Sequence, residues 1–378
     1  MLGPLVSFSP LVSQGNFLDK SENKKTLLMT SATSGVGLAV IDSLRNRRKD
    51  LRIIGVSTET FGQLRFEFDE VFCSPITDSV EFPPFIESLC QSKGVDLVIA
   101  GRDDDLIPLA DYHDRPDSAI RLQSGPGKTL KLFRDKYLSF EWCKSRNIEF
   151  AESVNTNSST LTEDLRKLLN ICDGFPLIVK PRCGDGSRGV AIVRDEEELL
   201  NSMQLKEHII QEFVGKVQTE ETEPNLKFGV PLFWNFPVLE QGVIVLIVDS
   251  HNQTGEFFTC IATHNQGVVN KMWLSEDPRL LDLAKKILKE LLSDGFDGIC
   301  NFSAMKAIDG TWKVIEINPR FTGGTASRLM LGFDEVGKIL FNFLGLELQN
   351  LVGIGSEKTL IINRKARDII NHDEIFSE

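Results

Sequence analysis

The stretch that most constrains this chain is Lys313 to Phe321, which has the pattern of a β-strand running into a rigid turn. Successive side chains on a strand point to opposite faces, so Glu316 and Asn318 share one face. Pro319 cannot donate to a ladder and ends the strand, and Arg320 follows it. Taken alone, this pattern also fits a strand end with a surface salt bridge. Because oxygen ligands suit Mg²⁺ and arginine suits phosphate, it predicts a metal and phosphate site.

A second stretch, Pro176 to Val193, has the pattern of a β-hairpin with a glycine-rich tip. Its first apolar run ends at Lys180, the loop 183–189 carries Ser187 and Arg188, and an apolar run returns. Flexible backbone N–H groups with a lysine and an arginine are suited to covering phosphates. A lone glycine-rich hairpin is a weak signal, so this prediction gains weight only in combination with the first stretch.

Composition narrows the class of protein. The formal net charge of −12 argues against nucleic acid as the main partner, while 41% hydrophobic and 25% charged residues are ordinary for a globular chain. The seven cysteines contain no CxxC pair, which favours a reducing compartment, and we expect a cytoplasmic protein. The first basic residue is Lys20 and no apolar run reaches membrane-helix length, so neither a signal peptide nor a membrane partner is expected.

The order of strand-like and helix-like segments predicts two kinds of domain. Residues 1–24 are mixed and are expected to form a tail, whereas residues 25–125 alternate short apolar strands with helices. That alternation predicts a parallel α/β sheet of Rossmann-like type. Residues 126–345 are expected to form a second, larger domain with a lid subdomain at about 150–212. Residues 346–378 are expected to form a small terminal element and a charged tail.

Two glycine-containing loops suggest other nucleotide-binding folds. The loop Thr30 to Gly37 resembles the nucleotide loop of short-chain dehydrogenases, but neither tyrosine, Tyr112 or Tyr137, has the lysine four residues later that those enzymes use. The segment Gly125 to Thr129 resembles the end of a P-loop but lacks its first glycine, since Leu122 stands there. We therefore interpret the first loop as a strand-to-helix turn and the second as a linker.

Within the second domain, the pattern predicts one long helix, Leu130 to Arg146, which carries Lys136. A strand is predicted at His208 to Val214 and another at Val243 to Asp249. The dipeptide Asp309-Gly310 lies between two strand-like runs and is a good signal for a hairpin whose return strand, Thr311 to Asn318, carries Glu316.

Three elements in this order resemble the ATP-grasp superfamily, most closely its carbamoyl-phosphate-synthase-like and amino-acid-ligase-like branches. They are Lys136, the Lys180 strand with its glycine-rich loop, and Glu316-Ile317-Asn318-Pro319-Arg320. The resemblance spans residues 26 to 340. It implies an α/β and α+β fold, with a Rossmann-like pre-ATP-grasp domain followed by a two-subdomain ATP-grasp fold.

The resemblance also implies how ATP is bound. The phosphates would be held by Lys136 and Lys180 and covered by a loop that contributes Gly184, Gly186, Ser187 and Arg188. The adenine hinge would comprise Gln211, Glu212 and Val214, and Glu240 is the candidate for the ribose hydroxyls. Lys180, Arg188 and Arg320 would be the catalytic residues, with Arg320 steadying the transferred phosphoryl group. Arg328 and His264 are candidates for binding a substrate carboxylate.

The metal site departs from the superfamily pattern. The resemblance implies Mg²⁺, or Mn²⁺ in its place, on Glu316 and Asn318. A second acidic or amide ligand usually lies on the preceding strand, where this chain has Asn301 and Ser303. Either residue could serve, or one metal binds more weakly.

The function implied is an ADP-forming carboxylate–amine ligase, which activates a small carboxylic or amino acid as an acyl phosphate. One alternative is an enzyme that forms carboxy or carbamoyl phosphate from bicarbonate or carbamate. The other is a nucleotide-binding sensor without catalysis. Many members of the superfamily are dimers, which favours a homodimer.

Overall fold

The structure is a computed structural model that describes residues 24–59, 64–184, 188–215, 240–265, 268–349, 355, 358–363 and 368–371. Within these ranges the chain forms three β-sheets with helices packed against them. No helix in the described ranges is both long and apolar enough to cross a membrane.

The first sheet is formed by the N-terminal part of the chain and is parallel throughout. Its strands, in the order β3-β2-β1-β4, are β1 (Lys25–Met29), β2 (Leu51–Ser57), β3 (Glu70–Cys73) and β4 (Leu97–Ile99). The helices between and after them are α1 (Gly35–Leu44), α2 (Leu64–Glu67), α3 (Phe82–Lys93) and α4 (Asp103–His113). The predicted parallel α/β sheet is therefore confirmed.

Both faces of this sheet are buried, as its near-continuous apolar strands require. Leu27 and Met29 of β1 belong to one hydrophobic core, and Leu28 between them belongs to another. The core that contains Leu28 continues as far as Ile317 of the last predicted hairpin. The N-terminal sheet thus shares its core with the rest of the chain, and the domain boundaries stay a prediction.

The predicted long helix at 130–146 is wrong in detail. After β5 (Ser124–Gly125) the chain forms two helices, α5 (Gly127–Arg134) and α6 (Lys136–Ser145), which Asp135 separates. The Asp135 carboxylate accepts hydrogen bonds from the backbone N–H groups of Tyr137 and Leu138, so it caps a new helix. The predicted linker at Gly125 to Thr129 is also corrected, because α5 begins at Gly127.

The second sheet has four strands and lies between residues 153 and 212, where the lid subdomain was expected. In the order β6-β9-β7-β8 it contains β6 (Ser153–Asn155), β7 (Leu177–Pro181), β8 (Ala191–Val193) and β9 (His208–Glu212). The helices α7 (Leu161–Cys172) and α8 (Glu196–Ser202) accompany it. β7 and β8 pair antiparallel, which confirms the predicted hairpin.

The third sheet has eight strands and is the largest. Seven follow the order β14-β13-β10-β11-β12-β15-β16, and β5 pairs with β13. Their ranges are β10 (Gln241–Asp249), β11 (Thr254–Asn265), β12 (Val268–Leu274), β13 (Asp297–Lys306), β14 (Trp312–Asn318), β15 (Thr359–Asn363) and β16 (Asp368–Asn371). The remaining helices are α9 (Pro278–Ser293), α10 (Thr325–Met330) and α11 (Glu335–Leu344). The strands β15 and β16 lie within the predicted terminal element and extend this sheet, and the bounds of that element stay a prediction.

Candidate active site

The predicted metal residues meet on one face of the β13–β14 hairpin. Ser303 lies directly opposite Glu316, and Asn301 lies directly opposite Asn318. Directly paired residues of antiparallel strands project from the same face, so four oxygen-bearing side chains line one strip of the sheet. The two strands are joined by the Asp309-Gly310 turn, as predicted, and Gly310 has a positive φ of 84°.

Lys136 reaches this strip from the first turn of α6. Its Nζ lies 3.2 Å from Glu316 Oε1 and also donates a hydrogen bond of 3.1 Å to the carbonyl of Gly184. The residue is only 7% exposed, whereas a lysine on a helix is usually exposed. The helix break at Asp135 accounts for this, because it turns the new helix so that its first residue faces the hairpin.

Lys180 reaches the same strip from the end of β7. Its Nζ donates a hydrogen bond of 2.9 Å to the carbonyl of Ile315, next to Glu316. Burial, followed by the positive charge of Lys136, lowers the pKa of Lys180 to about 7, although Glu316 opposes the shift. The ligand-free site therefore favours loss of the Lys180 proton, whereas a bound anion would favour the charged form.

The charge of Glu316 is stabilised by the cations around it. Burial alone would raise its pKa, but Lys136, Lys180 and Arg320 outweigh that effect and the pKa lies below its ordinary value. Glu316 is therefore ionised at neutral pH. Lys136, Lys180 and Arg320 lie against two carboxylates, those of Glu316 and Asp103, so the local charge is positive when Lys180 carries its proton, which suits a polyphosphate.

Arg320 is held by a residue of the N-terminal sheet. Its Nε donates a hydrogen bond of 2.7 Å to Asp103 Oδ1, and its Nη2 donates to the other carboxylate oxygen. Its Nη1 donates to the carbonyl of Phe321 at 2.8 Å, and its Nη2 lies 3.4 Å from Asn318 Oδ1. The guanidinium thus lies at the end of β14 beside the predicted metal residues.

Asn301 contributes a buried acceptor to the strip. Its Nδ2 donates a hydrogen bond of 2.7 Å to the carbonyl of Arg320, which fixes the orientation of the amide. Its Oδ1 is buried and has no hydrogen-bond partner among the described residues, and the whole residue is 3% exposed. A buried carbonyl oxygen without a partner is costly, so a water or a cation is expected to satisfy it.

The predicted phosphate loop is described in part. The carbonyl of Gly184 accepts hydrogen bonds from Lys136 and, at 3.1 Å, from Nη1 of Arg134. Arg188 is exposed. Gly186 and Ser187 lie outside the described residues, so their roles stay predictions.

The predicted adenine hinge comprises the last two residues of β9, Gln211 and Glu212, and Val214 just after them. Gln211 is buried and its Nε2 donates a hydrogen bond of 2.9 Å to Ser153 Oγ, while Val214 packs in the main core. Glu212 Oε1 accepts from Lys313 at 2.5 Å, which connects β9 to β14. The Gln211 and Glu212 side chains fix the end of β9, and the backbone N–H of Glu212 donates to the carbonyl of Glu152 at 2.8 Å, so the adenine contact stays a prediction. Glu240 is exposed and directly precedes β10.

The structure does not support Arg328 as a ligand for a substrate carboxylate. Its side chain is buried and is paired with both carboxylate oxygens of Glu335, and Nη2 also donates to Thr322 Oγ1 at 2.8 Å. The residue follows the glycines at 323–324 in sequence, but α10 turns it into the interior. His264 lies on β11, away from the β13–β14 strip in strand order.

Sequence reasoning missed Asp103 and Arg134, which orient predicted site residues. Both Asp103 and its neighbour Asp104 lie in the first turn of α4, and Asp104 Oδ1 accepts from Arg134 at 2.5 Å. The available signal was three successive aspartates that begin four residues after the end of a buried parallel strand, because functional residues gather at the carboxyl ends of such strands. Their partners lie 30 and 217 residues away and could not be found from spacing.

The arrangement is suited to phosphoryl transfer. That reaction depends on positioning and neutralising charge, and it needs no protein nucleophile. Two lysines, an arginine and a carboxylate with neighbouring oxygen donors provide those functions within one strip.

No protein-family model matches the sequence. No curated protein is similar enough to be matched either.

Solved structures nevertheless match most of the chain. The N5-carboxyaminoimidazole synthetase of Staphylococcus aureus, complexed with ADP, is 14% identical with a TM-score of 0.65, and the match covers 90% of this chain and 83% of that one. The biotin carboxylase domain dimer of Hydrogenobacter thermophilus 2-oxoglutarate carboxylase, in complex with MgADP, ADP and bicarbonate, is 14% identical with a TM-score of 0.65, covering 89% and 73%. The N5-carboxyaminoimidazole ribonucleotide synthetase of Thermotoga maritima is 17% identical with a TM-score of 0.61, covering 89% and 80%.

At such low identity these matches bear on the fold alone. The matched structures are ATP-grasp enzymes, and each match extends over the N-terminal sheet as well as the two later sheets. The protein therefore has the ATP-grasp fold.

Proposed function

We propose that this protein is an ADP-forming ligase that activates a small carboxylic or amino acid as an acyl phosphate, which an amine then attacks. The observation that carries the proposal is the convergence of Lys136 from α6, Lys180 from β7 and Glu316 from β14. Three separate elements bring cationic and anionic groups to one strip, which a structural salt bridge would not require.

In this proposal Lys136 and Lys180 bind the phosphates of ATP. Both are buried, so their charges act in a poorly screened environment. Gly184, Gly186, Ser187 and Arg188 cover the phosphates on the opposite side. The adenine lies against the backbone of Gln211, Glu212 and Val214, and Glu240 is assigned to the ribose hydroxyls.

The oxygen-bearing side chains of the strip are suited to a hard divalent cation, which prefers oxygen ligands. Glu316 and Asn318 would hold Mg²⁺, or Mn²⁺ in its place, with Ser303 and the unpartnered Oδ1 of Asn301 on the same face. The described residues contain no cluster of three or more acidic, histidine or cysteine side chains suited to a metal. The donor set is therefore one carboxylate with neutral oxygens. When bound, the cation supplies charge neutralisation at the phosphate oxygens.

Arg320 steadies the phosphoryl group as it moves from ATP to the carboxylate of the substrate. The bond that breaks joins the γ-phosphorus to the oxygen that bridges it to the β-phosphate. The bond that forms joins that phosphorus to a carboxylate oxygen, and ADP leaves. The amine then attacks the acyl carbon and expels inorganic phosphate, so the net products are ADP, phosphate and the amide or related adduct.

A second candidate function is the formation of carboxy phosphate from bicarbonate. The Hydrogenobacter thermophilus structure, whose fold this chain shares, contains bicarbonate with MgADP, and that favours this candidate. It uses the same phosphate-binding residues and differs in the acid that receives the phosphoryl group.

Product analysis tests the proposal. The protein is incubated with Mg·ATP, pooled carboxylic and amino acids and hydroxylamine, which traps an acyl phosphate as a hydroxamate. We expect ADP, phosphate and a hydroxamate from one pool. ADP formation with bicarbonate and no organic acid supports the second candidate. AMP with pyrophosphate contradicts both, and binding of Mg·ATP without consumption in any pool indicates a sensor.

The binding of Mg·ATP should depend on pH through Lys180. Its pKa of about 7 lies below the ordinary 10.5, so it is charged below pH 7 and loses its proton above pH 7 in the ligand-free protein. Phosphate favours the charged form, so ATP binding should take up a proton. The dissociation constant should therefore rise above pH 7 by up to about tenfold per pH unit.

Calorimetric titration at pH 8 in two buffers of different ionisation enthalpy measures this uptake. A Lys180→Met variant should lose it, and a variant of the exposed Lys128, Lys128→Met, should retain it. Equal binding enthalpies in both buffers for the unaltered protein would contradict the assignment of Lys180.

The partners and location follow from the same proposal. The partners are a small carboxylate and an amine, not nucleic acid or membrane, and the active form is a homodimer. The seven cysteines of the chain are free, which supports a reducing, cytoplasmic location.

A further inference from the structure

The first turn of α4 carries three successive aspartates, and each contacts a different part of the molecule. Asp103 binds Arg320 at the end of β14. Asp104 binds Arg134 at the end of α5. Asp105 is fully buried and accepts hydrogen bonds from three hydroxyl groups of the N-terminal region: Thr30 at 2.6 Å, Ser31 at 3.1 Å and Thr77 at 3.0 Å.

The contacts of Asp105 fix the position of this turn on the N-terminal sheet. Thr30 and Ser31 directly follow β1, and Thr77 follows β3, so the carboxylate connects the ends of two strands to α4. Burial raises the pKa of Asp105, and the three hydrogen bonds oppose that shift because they stabilise the charged form. The turn therefore has a fixed place relative to the sheet.

Asp103 transmits that fixed position to Arg320. The ion pair is bidentate, and the two side chains are 5% and 11% exposed respectively, so little solvent screens it. A planar guanidinium held at two of its nitrogens loses its freedom to rotate. The carbonyl of Arg320 is fixed separately by Asn301, so both the backbone and the side chain of this residue are constrained.

We propose that Asp103 is a positioning residue that aims Arg320 at the transferred phosphoryl group. This inference rests on the proposed function of Arg320. It makes the N-terminal sheet a contributor to the chemical step, through the carboxylate of Asp103, which contacts the guanidinium. The rate of transfer depends steeply on geometry. A guanidinium that is less firmly held should therefore bind the phosphoryl group more weakly in the transition state, while the affinity for the product ADP should stay nearly unchanged.

The test compares two titrations on the whole protein, one with Mg·ADP alone and one with Mg·ADP and aluminium fluoride, which mimics the phosphoryl group during transfer. In Asp103→Asn, the complex with aluminium fluoride should weaken by about tenfold or more, since small misplacements cost this much. Binding of Mg·ADP alone should change by no more than about twofold. Asp103→Glu, which keeps the carboxylate, should recover part of the loss.

A matched control is available elsewhere in the fold. Asp334 forms an ion pair of 2.5 Å with the buried Arg47 of the N-terminal region, so Asp334→Asn breaks a similar arginine–aspartate contact between the same two parts of the chain. This variant should lose stability but bind both ligands normally. Asn is also compatible with the capping of α11 by residue 334.

Two further results complete the test. If Asp103 acts only through Arg320, the double variant Asp103→Asn, Arg320→Lys should bind the aluminium fluoride complex no more weakly than Arg320→Lys alone. Equal behaviour of Asp103→Asn and Asp334→Asn, or additive losses in the double variant, overturns the role of Asp103. Failure of the unaltered protein to bind Mg·ADP is a different result and contradicts the proposed function itself.

Discussion

Replacing Glu316 with glutamine should reduce ADP formation by about a hundredfold to a thousandfold, because the cation that this carboxylate would hold stabilises charge on the transferring group, and one such electrostatic interaction contributes about two to three orders of magnitude in rate. Glutamine keeps the size of the side chain but removes the one carboxylate among the four side chains of the β13–β14 strip. It also leaves Lys136 and Lys180 without the anion that now stabilises them. Steady-state ADP release with the substrate pool is the measurement for this variant.

The control for this prediction is Glu256→Gln, which alters an exposed glutamate of the same sheet whose partner is Lys338. It should leave the rate unchanged. Binding of Mn²⁺ followed by paramagnetic resonance should weaken in Glu316→Gln and not in the control. Near-normal turnover in Glu316→Gln would mean that the β13–β14 strip is not the metal and phosphate site.

Replacing Glu335 with alanine should destabilise the fold by about 3–5 kcal/mol, because it leaves a buried charge without its partner. Arg328 and Glu335 are 2% and 1% exposed, and the guanidinium is paired with both carboxylate oxygens. Urea denaturation followed by far-UV circular dichroism measures the free energy of unfolding. Lys338→Ala, one turn later on α11 and paired with the exposed Glu256, should change it by less than about 1 kcal/mol.

A second variant separates charge from packing in this prediction. The double change Arg328→Met with Glu335→Leu removes both charges and keeps apolar volume, so it should recover most of the stability lost in Glu335→Ala. If the double variant is as unstable as Glu335→Ala, the stability lost at this pair comes from packing and not from the unpaired charge. The same pair explains why Arg328 does not serve as a substrate ligand.

The strands that carry the site could be predicted because each has a strong local pattern. Lys180 directly precedes Pro181, the last residue of β7, and Asn318, the last residue of β14, directly precedes Pro319, so a proline limits where each strand can stop. The antiparallel pairing of β13 with β14 was indicated by the Asp309-Gly310 turn. From these patterns alone, Glu316, Asn318 and Ser303 could be expected on one face.

Other parts of the site depend on contacts that no local pattern encodes. Lys136 is buried because Asp135 starts a new helix, whereas the sequence favours one continuous amphipathic helix through residue 146. Asp103 meets Arg320 only because the N-terminal sheet shares a core with the large sheet. The strands after residue 358 depend on pairing with distant residues, because β15 pairs with β12 and β16 pairs with β15.

The most direct test of the central claim follows oxygen atoms from the acid to phosphate. The acid identified by hydroxamate formation is labelled with ¹⁸O in its carboxylate and incubated with Mg·ATP, the protein and an amine. If an acyl phosphate forms, one labelled oxygen must leave with the phosphoryl group, and phosphorus NMR should show inorganic phosphate carrying one ¹⁸O beside unlabelled ADP. Unlabelled phosphate would mean that water, not the carboxylate, received the phosphoryl group, and it would contradict the account.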